Sequence, residues 1–450
     1  MAKIYIKTMG CKVNTYDTDL LETQFKAKGF EIVADPSKAQ ISILNSCSVT
    51  SNADREARYL LRKFRRDCPE SLVVATGCYA QTDSAKLSAM KEVDLVFPNQ
   101  SKDQLVNFLT DHVQKNVQLP KNKMHQEKAP VRENRQTHFK SSLTMFAADT
   151  SRTRAFLKIQ DGCNGFCSYC IIPYARGASR SAEPNEVLEE IDRIVEKGVK
   201  EIVFTGIHIG DYGKDLSSQA DISEPFIHLM ENIYGRQEMS RIRISSLEPR
   251  EVSEPLLKIM ATRKEISCDH FHLPLQSGCN KILKGMRRTY TKEEYAEKVA
   301  LIRSYFPDAS IGADVIPGFP GETDTDFEET VTFIKDNRLS YLHVFPYSKR
   351  PNTAAIRMKD HVDGNVIKDR SAQLRQLSKT LKSSYAEKFI GQTTAVLWEK
   401  ESDSRGRALG KSMNYLDICV PAHTEVAPGQ VSNVKIKGFV EDGVLLGLSK

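Results

Sequence analysis

Short apolar runs alternate with helical stretches over the first 112 residues of the chain. Residues 3–8 (KIYIKT), 41–44 (ISIL) and 72–75 (LVVA) have the length and composition of buried strands. Residues 14–28 carry apolar side chains at helical spacing, and residues 54–66 form a basic helical stretch. Strands that alternate with helices predict a parallel sheet with helices on its faces.

A polar segment, residues 114–148, interrupts this alternation and is interpreted as a linker. After it the alternation resumes with six candidate strands: 155–159, 201–205, 241–245, 270–273, 310–315 and 341–345. Helical stretches such as 186–197 and 292–304 separate these strands. Six strand–helix units predict an open or partial TIM-type barrel.

The last sixty residues follow a third pattern. Short strands separated by Gly and Pro turns are predicted at 393–398, 417–420, 432–439 and 444–448, and such a series is typical of a small β-barrel. The chain is therefore predicted to be an α/β protein with an N-terminal domain (1–113), a linker (114–148), a barrel core (149–385) and a C-terminal β-domain (386–450).

Composition and charge exclude few classes of protein. Hydrophobic residues make up 40% and charged residues 27% of the chain, which is ordinary for a globular protein. The sequence has no apolar run long enough to span a membrane and no signal-peptide pattern at its start, so a cytoplasmic protein without a membrane partner is expected. The net charge of +6 permits an RNA partner without requiring one.

The chain has ten cysteines, and three of them form the motif C-x3-C-x2-C at Cys163, Cys167 and Cys170. A zinc site usually needs four protein ligands. Three thiolates in a loop after a barrel strand instead fit a [4Fe–4S] cluster with one iron left open. A zinc ion completed by a distant histidine is the alternative.

Three further cysteines each follow a predicted strand of the N-terminal sheet: Cys11, Cys47 and Cys78. The carboxyl ends of parallel strands meet at one edge of a sheet, so these thiols are expected to converge there. Gly10 and Gly77 precede two of them and suit tight turns. The remaining cysteines, Cys68, Cys268, Cys279 and Cys419, are interpreted as small buried apolar residues.

The C-x3-C-x2-C motif resembles the radical S-adenosylmethionine (SAM) signature, and the two cysteine sets in this order resemble the methylthiotransferase family. The resemblance covers nearly the whole chain. Its motifs are GCKVN at 10–14, NSCSVT at 45–50, TGCYAQ at 76–81, DGCNGFCSYCIIPYARG at 161–177, SSLEP at 245–249, HLPLQSG at 272–278, MRRTYT at 286–291, GFPGET at 318–323 and FPYSKRP at 345–351.

This resemblance implies an enzyme with two [4Fe–4S] clusters that uses SAM both as methyl donor and as radical source. One cluster on Cys11, Cys47 and Cys78 would hold the sulfur to be donated. The other, on Cys163, Cys167 and Cys170, would bind SAM for reductive cleavage. The implied partners are the tRNA anticodon stem-loop, a sulfur donor and a low-potential electron donor such as a flavodoxin or a ferredoxin.

The dipeptide Lys12-Val13 within GCKVN resembles the MtaB type, which acts on N6-threonylcarbamoyladenosine at tRNA position 37. Three alternatives stay open: a MiaB-type enzyme for N6-isopentenyladenosine, a RimO-type enzyme for a protein side chain, and a non-enzymatic zinc-bearing RNA-binding module.

The same resemblance implies a set of SAM-binding residues at the catalytic end of the barrel. Tyr169 would pack near the adenine and Gly206 would lie where the methionine amine is held. The other candidates follow or end barrel strands: Ser245, Glu248, Gln276, Asp314, Gly318 and Gly321.

Two kinds of segment are candidates for RNA contact. RNA phosphates could be contacted by the arginine and lysine side chains of the basic helix, by Arg287-Arg288 and by Lys349-Arg350. The C-terminal domain resembles a TRAM domain, in which Tyr415 would stack on bases.

Overall fold

A computed structural model describes residues 2–114, 152–441 and 443–449. The predicted linker lies outside these residues from position 115 onward. The chain divides into two units: residues 1–149, 160–182 and 348–356 form the first, and residues 150–159, 183–347 and 357–450 form the second. Within the described ranges, none of the helices has the length and apolar character needed to span a bilayer.

The N-terminal part of the first unit is a parallel five-stranded sheet with helices. Its strand order is β2-β1-β3-β4-β5, so the topological switch point lies between β1 and β3. The elements are β1 (Lys3–Thr8), α1 (Lys12–Ala27), β2 (Glu31–Ile32), β3 (Ile41–Ser46), α2 (Ser51–Asp67), β4 (Leu72–Gly77), α3 (Cys78–Thr82), α4 (Ser84–Ser88), β5 (Leu95–Pro98) and α5 (Leu105–Gln114).

The central strand β3 is buried at all six positions, as expected for a parallel strand that is covered on both faces. Helix α2 begins after Thr50, whose side chain accepts a hydrogen bond from the backbone N–H of Ala53, and this cap fixes where the chain turns after the strand.

Two sheets of three parallel strands build the barrel of the second unit, in the orders β10-β9-β6 and β11-β12-β13. The elements from residue 155 onward are β6 (Ala155–Lys158), β7 (Gln160–Asp161), α6 (Ile172–Arg176), β8 (Arg180–Ser181), α7 (Pro184–Glu196), β9 (Glu201–Thr205), α8 (Pro225–Tyr234), β10 (Arg241–Ile244), α9 (Glu254–Thr262), β11 (His270–His272), α10 (Asn280–Gly285), α11 (Lys292–Tyr305), β12 (Ser310–Val315), α12 (Asp324–Asp336), β13 (Tyr341–Val344) and α13 (Gly364–Glu387).

Backbone hydrogen bonds join the two sheets between β10 and β11. The N–H of Ile242 donates to the carbonyl of Ile266 at 2.7 Å, and the N–H of Leu247 donates to the carbonyl of His272 at 3.0 Å. The result is a series of six parallel strands with intervening helices, which confirms the predicted partial barrel. The short pair β7–β8 and helix α6 belong to the first unit.

A closed five-stranded barrel ends the second unit, in the order β14-β15-β16-β18-β17. Its strands are β14 (Thr393–Ser402), β15 (Ala408–Ser412), β16 (Asp417–Cys419), β17 (Val431–Glu441) and β18 (Val444–Ser449). Trp398 is fully buried in the barrel core, where Tyr385 and Phe389 pack against it from the end of α13 and the residues that follow. The predicted β-barrel is confirmed. Strand β15 was not predicted, because ALGKS has few apolar residues.

Candidate functional site

Cys11, Cys47 and Cys78 follow the ends of β1, β3 and β4 within three residues, at the carboxyl edge of the sheet. Cys11 and Cys47 follow the two strands that flank the switch point. A Cβ atom on Gly10 would lie 2.9 Å from the sulfur of Cys47. Only a glycine fits there, and its φ of +94° also favours glycine. The chain before Cys11 therefore runs directly against Cys47.

The charge environment shows that these three thiols are neighbours. Burial, together with the nearby thiols of Cys78 and Cys11, raises the pKa of Cys47 to about 12. Thiolates packed this closely repel one another unless a cation lies among them. Three convergent thiols on one sheet edge are a suitable donor set for a [4Fe–4S] cluster with one open iron.

Arg176, on helix α6, supplies a buried positive charge beside this cysteine set. Its side chain is 2% exposed. Its guanidinium donates to both oxygens of Asp161 at 3.0 and 3.1 Å, to Asp17 at 3.3 Å and to Asn14. Burial opposes its charge, but Asp161, Cys78 and Asp17 together hold the pKa of Arg176 well above its usual value.

The Nε atom of Arg176 is buried and has no hydrogen-bond partner among the residues that the structure describes. A buried N–H that lacks an acceptor is costly, and the anionic sulfur atoms of a bound cluster would supply one. The residues present therefore fit a cluster at this edge on grounds of geometry as well as of donor type.

A second buried cation, Lys102, extends the same network. Its ammonium donates to Asp17 at 3.0 Å and to the side-chain oxygen of Asn45 at 3.2 Å. Burial lowers the pKa of Lys102. Arg180 also pairs with Asp161, at 3.0 Å. The network therefore contains three cations and two carboxylates, and its excess positive charge can balance thiolates.

The second cysteine set, Cys163, Cys167 and Cys170, lies in the loop between β7 and α6 and is half-buried. The loop is shaped by its own backbone: the N–H of Gly165 donates to the sulfur of Cys163 at 3.2 Å, and the N–H of Cys170 donates to the carbonyl of Cys167 at 3.0 Å. Tyr169 lies in the turn between the last two cysteines and is half-buried.

One residue ties the helix after this loop to the first cysteine set. The side-chain amide of Asn99 donates to the carbonyl of Ala175 at 2.9 Å and to the sulfur of Cys78 at 3.5 Å. Both cysteine sets thus belong to the first unit, and helix α6 contacts the edge that carries Cys78.

The other predicted SAM-binding residues lie in the second unit, at or beyond the carboxyl ends of barrel strands. Gly206 follows β9 and Ser245 follows β10. Gln276 has a φ of +64°, and its N–H donates to the carbonyl of Asp314 at 2.7 Å. The structure therefore brings Gln276 and Asp314 together next to β12.

Three of these residues already have polar partners. One oxygen of Asp314 lies 2.9 Å from His272 Nε2 and 3.4 Å from His343 Nδ1, and these imidazoles overcome burial and lower the pKa of Asp314. Glu248 is hydrogen-bonded to Arg288, and burial raises its pKa. The N–H of Gly318 donates to a carboxylate oxygen of Glu322 at 2.6 Å. Sequence reasoning left the two histidines unassigned, although His272 lies within a quoted motif.

Gly318 and Gly321 both have a φ of +83°. A Cβ on Gly318 would lie 2.3 Å from Cγ1 of Ile367, so a packing constraint explains this glycine. Gly321 has open space around its Cα, and its backbone conformation alone favours glycine.

Two of the arginines predicted to meet RNA are wrong assignments. Arg288 is 7% exposed and engaged by Glu248. Arg350 is 4% exposed, pairs with Asp54 at 2.7 Å and donates to the hydroxyl of Ser48 at 2.7 Å. Both side chains are occupied inside the protein, and a sequence run of charge does not reveal such burial.

Tyr415, which is predicted to stack on RNA bases, has aromatic and cationic partners within the protein. Its ring stacks on His270 with centroids 4.3 Å apart, and the cations of Arg243 and Lys411 lie 4.9 and 4.5 Å from its centroid. Arg243 in turn is fully buried and pairs with Glu201 at 2.7 Å. Tyr415 therefore joins the closed C-terminal barrel to strands β10 and β11, which carry Arg243 and His270.

We expect Tyr415→Ala to lower the free energy of unfolding by about 2 kcal/mol, because a half-buried ring and its cation contacts are lost. Thermal unfolding of the variant measures this effect. Tyr415→Phe, which keeps the ring, is the control and should unfold close to wild type. A Tyr415→Ala variant with wild-type stability but weakened RNA binding would contradict this structural role and support stacking on RNA.

Comparison with known proteins extends these observations. A family model described as "Radical SAM superfamily" matches residues 157–334, and one described as "Uncharacterized protein family UPF0004" matches residues 3–98. These two ranges hold all six candidate cysteines.

Curated relatives match almost the full chain. The "Threonylcarbamoyladenosine tRNA methylthiotransferase MtaB" of Bacillus subtilis is 38% identical over 97% of this chain and 94% of its own length. The protein of the same name from Aquifex aeolicus is 37% identical over 94% of this chain and 98% of its own length. The "tRNA-2-methylthio-N(6)-dimethylallyladenosine synthase" of Bacillus licheniformis is 31% identical over 99% of this chain and 86% of its own length.

Among solved structures, the radical S-adenosylmethionine methyltransferase TsrM from Kitasatospora setae has a TM-score of 0.56 at 14% identity, and the match covers 79% of this chain and 77% of that one. At this identity the likeness concerns the fold alone. The identities and coverage of the curated relatives are decisive, and the chain belongs to the MtaB-type group of the radical SAM tRNA methylthiotransferase family.

Proposed function

We propose that this enzyme converts N6-threonylcarbamoyladenosine at tRNA position 37 to its 2-methylthio derivative and holds two [4Fe–4S] clusters. The observation that carries the proposal is the pair of three-cysteine sets within one unit, each on a different structural frame. The sheet edge presents Cys11, Cys47 and Cys78, and the loop before α6 presents Cys163, Cys167 and Cys170.

The two sets have different surroundings, which suits different tasks. Arg176 and Lys102 place positive charge near Cys78 of the sheet-edge set, so this set can hold an additional anion such as the sulfur to be donated. The thiols of the loop set are half-buried, and we propose that SAM binds at the cluster they hold. When bound, SAM and the clusters supply the methyl group, the sulfur and the radical that removes an unreactive aromatic hydrogen.

We also propose a set of SAM-binding residues. We assign Tyr169, Gly206, Ser245, Glu248, Gln276, Asp314, Gly318 and Gly321 to the SAM-binding region. Asp314 accepts hydrogen bonds from two histidines and would hold a fixed negative charge there. Glu248 accepts a hydrogen bond from Arg288 and would therefore position that guanidinium.

We propose that the enzyme acts in the cytoplasm. Its partners would be a low-potential electron donor of the flavodoxin or ferredoxin kind and a separate sulfur donor. We retain residues 1–113 as the sheet-edge cluster domain, 114–148 as a linker, 149–385 as the radical SAM core and 386–450 as an RNA-binding domain.

Iron content tests the number of clusters. Anaerobically purified protein is expected to hold about eight irons, and the Cys163/Cys167/Cys170→Ala triple variant about four, with part of the brown absorbance retained. A wild-type protein with only about four irons would contradict the two-cluster proposal.

N6-isopentenyladenosine is the alternative substrate, because relatives named as dimethylallyladenosine synthases are 31–33% identical to this chain. We expect the enzyme to methylthiolate tRNA that carries N6-threonylcarbamoyladenosine and to leave N6-isopentenyladenosine tRNA unchanged. Nucleoside mass spectrometry of the two tRNAs, incubated in parallel, measures this preference. Gain of the methylthio group on the isopentenylated tRNA alone would overturn the assignment.

A further inference from the structure

Two exposed aromatic rings lie on the loop that carries the second cysteine set and on helix α6, which follows that loop. Phe166 precedes Cys167 and is 45% exposed, and Tyr174 on α6 is 43% exposed. Their ring centroids are 6.2 Å apart and their planes meet at 85°. The two rings therefore form a corner that is open to solvent.

Several exposed apolar side chains of the first unit are close in sequence to the candidate cluster cysteines. The described residues of the first unit have six large exposed apolar side chains: Val49, Tyr59, Val113, Phe166, Tyr174 and Ile356. Val49, Phe166 and Tyr174 each lie within four residues of a candidate cluster cysteine. Single exposed apolar residues are ordinary, but a paired set beside a reaction centre points to a ligand surface.

The backbone holds Phe166 outward at an energetic cost. Its φ of +43° lies in the left-handed region, which a bulky residue rarely adopts. The neighbouring Gly165 donates its N–H to the sulfur of Cys163, so the loop that positions the thiol also positions the ring. The exposed orientation is thus built into the cluster loop.

Tyr174 stands on a support that is equally fixed. The next two residues of α6 are anchored in the first unit, because the carbonyl of Ala175 accepts from Asn99 and the side chain of Arg176 is buried among Asp161 and Asp17. A rigid, preformed aromatic surface loses little conformational freedom when a flat ligand stacks on it.

We propose that Phe166 and Tyr174 form a stacking corner for an unpaired nucleobase of the tRNA anticodon loop. The family acts on tRNA, and single-stranded RNA is recognised largely by stacking of splayed bases on aromatic side chains. Removal of one adenosine from the loop stack would leave a neighbouring base without its own stacking partner, and the corner offers that base a surface. The inference rests on the proposed tRNA reaction but not on which group the adenosine carries at N6.

The test uses full-length, cluster-loaded protein and an anticodon stem-loop RNA that carries 2-aminopurine beside position 37. Phe166→Leu and Tyr174→Leu keep apolar volume but remove the aromatic faces. Each variant is expected to bind the RNA about tenfold more weakly and to lose the change in 2-aminopurine fluorescence that accompanies binding. Tyr174→Phe keeps the ring and is expected to bind like wild type.

Iron content and SAM affinity, measured on the same samples, separate this proposal from a simple covering role. If the leucine variants bind RNA normally but lose iron or SAM, the rings cover the cluster and the stacking proposal is overturned. Equal RNA affinity in all variants would overturn it as well.

Stem-loops with and without the threonylcarbamoyl group separate the inference from the proposed substrate. The stacking corner predicts the same fold-loss for both RNAs. If wild-type enzyme leaves the threonylcarbamoyl tRNA unmodified, the substrate assignment is refuted. A loss of RNA affinity in Phe166→Leu would still support the stacking corner.

Discussion

Cys163→Ala is expected to abolish reductive cleavage of SAM, whereas Cys11→Ala is expected to spare it and to stop methylthiolation. The reason is structural: the two residues belong to sets on different frames, a loop before α6 and the edge of the N-terminal sheet. Loss of one of three thiolates leaves a cluster with too few protein ligands. Each substitution therefore removes one cluster and leaves the other frame intact.

The measurements are 5′-deoxyadenosine formation and methylthio-nucleoside formation by each purified variant under reducing, anaerobic conditions. Cys68→Ala is a matched control, because this thiol is half-buried and its sulfur faces the backbone carbonyl of Ala39 at 3.3 Å, away from either set. It should retain both products. A Cys11→Ala enzyme that still methylthiolates tRNA would falsify the division of labour between the two sets.

Much of this arrangement could be predicted from the sequence because the relevant signals are local. Buried strands such as β3 are short apolar runs, and a cysteine directly after each run is placed by the parallel topology alone. The positions of Cys11, Cys47 and Cys78 at one sheet edge needed no knowledge of side-chain packing. The order of strands, with its switch point between β1 and β3, was not predictable in the same way.

The buried polar network could not be predicted, because its members are distant in sequence. Arg176 contacts Asn14 and Asp17 from more than 150 positions away, and in the sequence it is one arginine among many. The same limitation misassigned Arg288 and Arg350, whose partners Glu248 and Asp54 make them structural. Charge is visible in a sequence, but burial depends on the tertiary fold.

Arg176→Met is expected to be among the most destabilising single substitutions in the first unit. Methionine keeps much of the side-chain volume but removes the positive charge that faces Asp161 and Asp17. These carboxylates are almost fully buried, and removal of one partner of a buried ion pair typically costs about 3–5 kcal/mol because the other charge is left uncompensated. Lys102 and Arg180 remain, so the loss is expected at the lower end of that range.

Urea unfolding of the cluster-free chain, followed by circular dichroism, measures this loss without contribution from bound iron. Arg66→Met is the matched control in the same unit. Arg66 is 68% exposed and, within the described part of the chain, its ion-pair partner is the neighbouring Asp67 at 3.2 Å, so its removal should cost less than about 1 kcal/mol. Iron uptake supplies a second measurement of the same variant.

If the network also balances the thiolates at the sheet edge, Arg176→Met protein should load iron poorly at Cys11, Cys47 and Cys78 even under conditions in which it is folded. An Arg176→Met chain that unfolds like Arg66→Met would show that Lys102 and Arg180 compensate the two carboxylates by themselves.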